Sequence, residues 1–445
     1  MKATDTEKIN HEIDKVKTSV TYSWEIEGKN ILNAENKTFL TGEEYNIIFL
    51  LYIKEEIPFN LRKNLWLISS GARDLLQKNV NYYSKLKNFY DILLSKKHPF
   101  YIYIANKISR DLYRSFSEED NPDESKITKL KNILYAFTIR NLSLNYCQGL
   151  NLIVSNLLIT TDYNEEESFY LLLKIMEDIL PFDYYYYGVG IEAEMNMMHI
   201  LLEKYDKELS KHLNKLNSYF LIISRLTMFI TSLMLFKTDK KISNLFFDLL
   251  FLIKTNNHIL IFYAIILSIF KILRNDLMEC QESTSVNYII EKFCVGPINE
   301  ENYNHLIYYT LIDHERLRLN DITLINLRKK EITQILPSKK LNFEMNDKDN
   351  TIFCDVNYPL CIKENKIGFP IDNFTVYKPN KNLSTFVKDN FYYCKENEIN
   401  LSEDNNEKKT ENEYEKIKNL QEVKLEYNNF MEDVIIERRT HYCHK

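Results

Sequence analysis

One candidate for chemistry is a charged pair in the stretch ISRDLYRSF, residues 108–116. Asp111 and Arg114 are three residues apart, so a helix would place them on the same side. An exposed pair of this kind adds only about 0.2–0.5 kcal/mol to stability, and a surface ion pair is the simpler interpretation. The functional interpretation is an arginine that the acid holds in place and that projects from a helix end.

A second candidate is the stretch NYCQGLNLI, residues 145–153, in which Gln148 precedes Gly149. The chain has only 8 glycines, and glycine lets the backbone adopt conformations that other residues avoid. Gln148 is neutral and therefore cannot act as a general base. Its amide accepts and donates hydrogen bonds at once, which is what the positioning of a water requires. The alternative interpretation is a helix cap or a surface residue for Gln148, and a turn between two core helices for the stretch.

A third stretch, IPFNLRKNLWLISSGA, covers residues 57–72. Pro58 stands where a helix could start, and Arg62 and Trp66 are four residues apart on one face of that helix. Taken alone, this pattern indicates a structural contact between an arginine and an aromatic ring.

Helices must position these side chains. From about residue 55 to 330, apolar residues recur at spacings of three and four, which predicts one helix after another. Alternating strand patterns are scarce in this span, so the sequence predicts an all-α fold without a parallel sheet. The predicted helices include residues 65–76, 89–94, 127–139, 150–159, 169–180, 191–216, 219–236, 241–254, 258–274 and 302–314.

Three other segments have distinct patterns. Residues 19–30 alternate and are aromatic, which favours a short hairpin. Residues 220–236 and 259–273 are very apolar, but Arg225 and Lys271 interrupt them. Both are shorter than the roughly 20 residues that a spanning helix needs, so we expect buried helices of a globular core.

Composition excludes several classes of protein. The chain has 445 residues, 45% of them apolar, and a net charge of −6 from mixed acids and bases, which argues against a nucleic-acid partner. Its beginning lacks the apolar core of a signal peptide, and the 7 cysteines form no Cys-x-x-Cys pair, which indicates free thiols in a reducing compartment.

Several common catalytic and metal-binding patterns are missing as well. The sequence has no phosphate-binding P-loop, no nucleophile elbow and no His-Glu-x-x-His pattern. His441, Cys443 and His444 come close together, but a second ligand pair at zinc spacing is missing, so we predict no metal site there.

In their order along the chain, the three stretches resemble the TBC domain of Rab GTPase-activating proteins. The shared patterns are Ile-Pro-x-x-Leu-Arg-x-x-x-Trp, Ile-x-x-Asp-x-x-Arg and Tyr-x-Gln-Gly-Leu-Asn. The likeness continues in ESFYLLLKIMEDILPFDYY, residues 167–185, and in ISNLFFDLLF, residues 242–251, where Asp248 matches the acid of the family. It covers roughly residues 55–275.

The resemblance implies a role for each matching residue. Arg114 corresponds to an arginine finger and Gln148 to a glutamine finger, and Asp111 to the acid that holds the arginine. The other matching residues would support them: Arg62 and Trp66 structurally, and Tyr146, Gly149 and Asn151 in the loop that presents the glutamine. The chain departs from the family pattern at Glu56, Ser115, Asn244 and Phe247. It also lacks the proline that usually follows shortly after the arginine, where the sequence reads SFSEED.

The implied function is stimulation of GTP hydrolysis by a Rab-family small GTPase in its GTP-bound form, and so regulation of vesicle trafficking. The protein would supply catalytic residues in trans and would not itself hydrolyse a nucleotide. It would need no cofactor of its own, since the partner carries GTP and Mg²⁺. We expect it in the cytoplasm, with the partner able to bring it to an endomembrane. A non-catalytic helical adaptor that binds a small GTPase is the alternative.

The sequence also suggests an organisation for the whole chain. The expectation is a two-lobed helical TBC domain over 55–275, preceded by an N-terminal extension over 1–54. A helical part over 276–330 would pack on that domain. Residues 331–445 are rich in Asn, Lys and Glu, a composition that buries too little to fold, so we expect a largely disordered tail.

Overall fold

The computed structural model of the chain describes residues 10–346, except 12, 16, 97–98, 117–121, 142–145, 182–183, 186–187 and 256. Every regular element among these residues is helical, which confirms the all-α fold class. The predicted tail beyond residue 346, with the possible ligands His441, Cys443 and His444, lies outside the described residues. Among the described cysteines, Cys280 and Cys294 are buried free thiols.

The helices follow one another closely. After a π-helical turn at Trp24–Gly28, the first of them are α1 (Lys29–Leu32), α2 (Gly42–Lys54), α3 (Phe59–Ser69), α4 (Ala72–Lys78), α5 (Tyr82–Ser95), α6 (Pro99–Leu112), α7 (Glu124–Arg140), α8 (Leu150–Thr160) and α9 (Glu165–Leu173), which continues as a π-helical segment, Lys174–Ile179. The others are α10 (Val189–Tyr205), α11 (Lys207–Lys215), α12 (Tyr219–Ser232), α13 (Lys240–Leu252), α14 (Ile259–Ile272), α15 (Arg274–Glu279), α16 (Ser283–Val295), α17 (Glu300–Arg318) and α18 (Asp321–Asn346).

The hairpin expected at residues 19–30 is wrong, since the chain is helical there. The Ser23 side chain accepts a hydrogen bond from the backbone N–H of Ile26, and Glu27 accepts one from the backbone N–H of Ser23. These reciprocal bonds satisfy N–H groups that a helix start leaves without partners, and they outweigh the alternating pattern.

Two helices expected to be continuous are divided. The helix expected over residues 65–76 breaks at Gly71, whose φ of 74° is incompatible with a right-handed helix. The helix expected over 191–216 breaks at Asp206, whose carboxylate accepts a hydrogen bond from the N–H of Leu209 and so starts α11 as a new helix.

The described chain divides into two compact units. The smaller one contains the described parts of residues 84–107 and 135–145, and its centre is a cluster of tyrosines. Tyr90 stacks on Tyr135 with ring centroids 3.9 Å apart, and Tyr101 meets it edge-on. The phenol of Tyr90 donates a hydrogen bond to the backbone carbonyl of Tyr101, so its burial leaves the hydroxyl satisfied.

The larger unit contains the described parts of residues 1–83, 108–134 and 146–346. Helix α14 lies in its core, and every residue from Ile259 to Phe270 is buried. It packs against α17. The apolar stretch at 259–273 is therefore a core helix, as expected. Within the described ranges, no helix combines the length and the apolar character that crossing a bilayer demands.

Helix α18 is tied to α10 by a buried ion pair. The carboxylate of Glu194 is fully buried and accepts hydrogen bonds from the phenol of Tyr263 and, at 2.7 Å, from Nε of Arg328. Val189, Ala193, Ile332 and Ile335 form an apolar cluster between the same two helices. The helix continues past residue 330, where the sequence placed the start of the tail.

Replacing Arg328 with alanine should lower the free energy of unfolding by about 3–5 kcal/mol, because the charge of Glu194 then remains buried without its cation. Urea unfolding measures the loss. The matched control is Asn196→Ala, which removes a hydrogen bond of 3.0 Å to Glu331 between the same helices and should cost about 1 kcal/mol. Equal losses in the two variants would contradict the importance of the buried pair.

Candidate functional site

The arginine of the charged pair stands just past the end of a helix. Helix α6 ends at Leu112, and the backbone N–H groups of Arg114 and Ser115 donate to the carbonyls of Asp111 and Leu112 in a tight turn. Nη2 of Arg114 donates to Oδ1 of Asp111. The acid is buried, with 8% of its side chain exposed, whereas 59% of the arginine side chain is exposed. The arginine is thus held by a buried acid while most of its side chain is exposed to a partner.

The same carboxylate also binds the loop that carries Gln148. The phenol of Tyr146 donates to Oδ2 of Asp111 at 2.5 Å. Burial raises the pKa of Tyr146, and the hydrogen bond to Asp111 raises it further, so the phenol stays protonated and remains a donor. One buried acid therefore links the arginine turn to the glutamine loop.

Asn151, in the first turn of α8, makes a second link between these two segments. Its Nδ2 donates to Oγ of Ser115 at 2.9 Å, and its Oδ1 accepts from the backbone N–H of Gly149 at 3.2 Å. The Ser115 hydroxyl in turn donates to the carbonyl of Asp111 at 2.6 Å. In the sequence Ser115 is only a departure from the family pattern, but in the structure its oxygen makes this link.

Gln148 is exposed at the turn before α8. The N-cap position of α8 is occupied by Gly149, and no side chain caps the helix there. The helix-cap interpretation of Gln148 is therefore wrong. Its amide lies at the surface, on a loop that Tyr146, Gly149 and Asn151 hold by hydrogen bonds.

Gly149 is required at its position for two reasons. Its φ is 105°, which L side chains rarely adopt, and a Cβ there would lie 2.1 Å from the carbonyl oxygen of Thr231. The backbone of the loop that carries Gln148 therefore lies in close contact with the end of α12.

Replacing Gly149 with alanine should destabilise the protein by about 1–3 kcal/mol from backbone strain alone, and the clash with Thr231 adds to this. Urea unfolding measures the change. The matched control is Gly42→Ala, since nothing lies within 4 Å of a Cβ at that position. We expect the control to unfold at the wild-type urea concentration or slightly above it, because alanine favours helices. A wild-type stability for Gly149→Ala would mean that the turn relaxes freely.

Arg62 and Trp66 belong to a different, buried cluster around Asp248. The carboxylate of Asp248 accepts from Nε of Arg62 at 3.1 Å and from the indole N–H of Trp66 at 2.7 Å. Burial raises the pKa of Asp248, whereas the positive charge of Arg62 and the hydrogen bonds from Trp66 and Arg62 lower it and favour the charged form that pairs with the arginine. Arg62 is 3% exposed, which leaves it unable to reach a partner and makes its role structural.

Two departures from the family pattern fit this cluster. Glu56 binds Nη2 of Arg62 at 3.1 Å. The ring of Phe247 stacks on Trp66 with centroids 5.6 Å apart. Both side chains thus reinforce the packing around Asp248.

The chain is similar to several known proteins. The family model of the Rab-GTPase-TBC domain matches residues 59–278. Growth hormone-regulated TBC protein 1 of Homo sapiens is 34% identical over 143 residues, which cover 30% of this chain and 38% of that protein. The protein of the same name in Xenopus tropicalis is 28% identical over 166 residues, 36% of this chain and 46% of that protein. The chain thus spans less than half the length of these curated relatives.

Solved structures with the same fold include a GTPase-activating domain. The crystal structure of the Ypt/Rab-GAP domain of Gyp1p matches with a TM-score of 0.50 and 17% identity. The match covers 68% of this chain and 99% of that one. At this identity the likeness shows the fold alone.

Proposed function

Residues 59–278 of this chain belong to the Rab-GTPase-TBC family, and on that basis we propose that the protein stimulates GTP hydrolysis by a Rab-type small GTPase. The proposed mechanism uses two side chains supplied in trans, Arg114 and Gln148. The curated relatives are matched over less than half their length, so they suggest the class of partner and do not identify it.

The observation that carries the proposal is the network around Asp111. Arg114 and Gln148 are both exposed, and the segments that carry them share one buried carboxylate through Arg114 and Tyr146. Catalysis in trans requires side chains that are open to the partner yet held by their own protein. A purely structural ion pair would not require the link from Asp111 to the glutamine loop.

Arg114 fits the stabilisation of charge on the transferring phosphoryl group. Its guanidinium is planar, permanently charged, and able to bind two phosphate oxygens at once. Negative charge spreads over the oxygens of the γ-phosphoryl group in the transition state, and an arginine supplied in trans increases the rate by about 10³–10⁵-fold. Because Asp111 already holds one side of the guanidinium, less side-chain freedom is lost when the partner binds.

Gln148 fits the orientation of the attacking water. Its amide carbonyl can accept a hydrogen bond from the water while the amide NH₂ donates to a phosphate oxygen or the partner backbone. Small GTPases usually use a glutamine of their own for this step. We propose that Gln148 takes that part here, so that both catalytic side chains come from one protein.

The GTPase would contribute the remaining components. GTP and Mg²⁺ are carried by the partner, which explains why this chain needs no nucleotide-binding loop of its own. The proposed site of action is the cytoplasm, with recruitment to endomembranes through the partner, and the proposed role is in vesicle trafficking.

The proposal is tested by measuring GTP turnover with a panel of Rab GTPases, with and without the purified protein. We expect faster turnover for at least one member of the panel. Binding of GTP-loaded Rab without faster turnover would instead identify a non-catalytic adaptor and contradict the proposed function.

A further inference from the structure

Two consecutive tyrosines cap the end of α12. The phenol of Tyr184 donates to the carbonyl of Ile230, and the phenol of Tyr185 donates to the carbonyl of Thr231, each at 2.9 Å. Carbonyls in the last turn of a helix lack the N–H partner that a continuing helix would supply, and the two phenols donate to them. The carbonyl of Ile230 also accepts from the backbone N–H of Leu233 at 3.4 Å. Both tyrosines are buried, at 1% and 4% exposure.

The second of these carbonyls lies against the glutamine loop at Gly149. The carbonyl oxygen of Thr231 is the atom that a Cβ on Gly149 would meet at 2.1 Å. The position of this carbonyl therefore limits where the residue after Gln148 can lie. Tyr185 fixes that position through its phenol.

Tyr185 also contacts the residue before Gln148. The thiol of Cys147 donates to the backbone carbonyl of Tyr185, with 3.8 Å between sulfur and oxygen. Tyr185 thus meets one neighbour of Gln148 directly and the other through Thr231. Tyr184 has no such pair of contacts, although its own phenol bond is equally long.

We propose that Tyr185 is a positioning residue for Gln148 and that it holds the loop around Gln148 on both sides. The proposal rests on the proposed function for its catalytic consequence. Misplacement of a catalytic group by about 1 Å can reduce a rate by up to about 100-fold. Loosening the loop should therefore slow the chemical step, while the surface that binds the GTPase stays the same.

The test compares Tyr185→Phe with its matched control Tyr184→Phe. Each variant loses one phenol hydrogen bond of the same length at the same helix end and keeps its ring, so we expect similar decreases in Tm. For a responding Rab, Tyr185→Phe should lower kcat by about 10-fold and leave KM for the GTPase within about 2-fold. Tyr184→Phe should keep kcat within about 2-fold of wild type. Equal losses of kcat in both variants would overturn the proposal.

A double variant shows whether the effect runs through the glutamine. In a Gln148→Ala background, Tyr185→Phe should cause no further loss of rate, because the side chain that it positions is already gone. A further 10-fold loss in that background would mean that Tyr185 acts elsewhere and would overturn the proposal.

Hydrogen exchange tests the positioning without any GTPase. The peptide that covers residues 146–153 should exchange its amides faster in Tyr185→Phe than in wild type, and at the wild-type rate in Tyr184→Phe. Unchanged exchange in Tyr185→Phe would overturn the inference even if the protein activates a Rab. Conversely, faster exchange in Tyr185→Phe of a protein that activates no Rab would support the positioning role of Tyr185 and refute only the proposed function.

Discussion

Replacing Arg114 with alanine should reduce the stimulation of GTP hydrolysis by about 10³–10⁵-fold, which is the largest effect we expect from any single change. The physical reason is the loss of the positive charge that offsets charge on the γ-phosphoryl oxygens. The fold should be preserved, because the arginine side chain is largely exposed and Asp111 keeps its bond to Tyr146. Single-turnover GTP hydrolysis with a responding Rab measures the loss.

The matched control for this variant is Arg110→Ala. Arg110 is also exposed and lies on α6 one turn before, so its removal changes the net charge by the same amount. We expect the control to keep the wild-type rate within about 2-fold, since a surface charge away from the phosphate contributes little. Arg114→Lys should recover only part of the activity, because an ammonium group cannot bind two oxygens in the plane of a guanidinium. Full activity of Arg114→Ala would refute the arginine-finger role.

Replacing Gln148 with alanine should lower kcat by about 10²–10³-fold, the usual cost of losing one preorganised hydrogen-bonding group at a reacting centre. KM for the GTPase should change little, because one exposed amide adds little to the binding interface. The main role of this amide is to orient the water. The same single-turnover measurement applies, with the GTPase concentration varied to separate kcat from KM.

The control for Gln148 is Gln77→Ala, which removes an exposed glutamine from α4. We expect wild-type kinetics from it. Gln148→Asn keeps the amide but shortens the side chain by one methylene, and it should recover little activity because the amide no longer reaches its position. A kcat that is unchanged in Gln148→Ala would show that the water is oriented by another group.

Much of the fold could be predicted from the sequence, because periodic apolar residues specify helices locally. The buried helix at Ile259–Ile272 and the helix Leu150–Thr160 lie where the pattern indicates. Single residues that end or start a helix were harder to interpret from the sequence. Gly71 and Asp206 each divide a helix that the apolar pattern alone would continue, and Ser23 starts helical structure where alternation suggested a hairpin.

The arrangement of the candidate site could be predicted only in part. The spacing of Asp111 and Arg114 predicts their pairing, and the turn that follows α6 at Leu112 keeps the two side chains together. The bond from Tyr146 to Asp111 spans 35 residues, and that from Tyr185 to Thr231 spans 46. Such contacts depend on tertiary packing, which no local pattern in one sequence contains. For the same reason, the role of Asp248 between Arg62 and Trp66 becomes clear only in the structure.

A GTPase without its own catalytic glutamine shows whether this chain supplies both catalytic side chains. GTP hydrolysis is followed for a responding Rab whose own catalytic glutamine has been replaced by leucine, with the wild-type protein and with Gln148→Ala. We expect the wild-type protein still to accelerate this GTPase and Gln148→Ala to leave its rate unchanged. Loss of all acceleration with the altered GTPase, together with full activity of Gln148→Ala on the unaltered GTPase, would contradict this expectation.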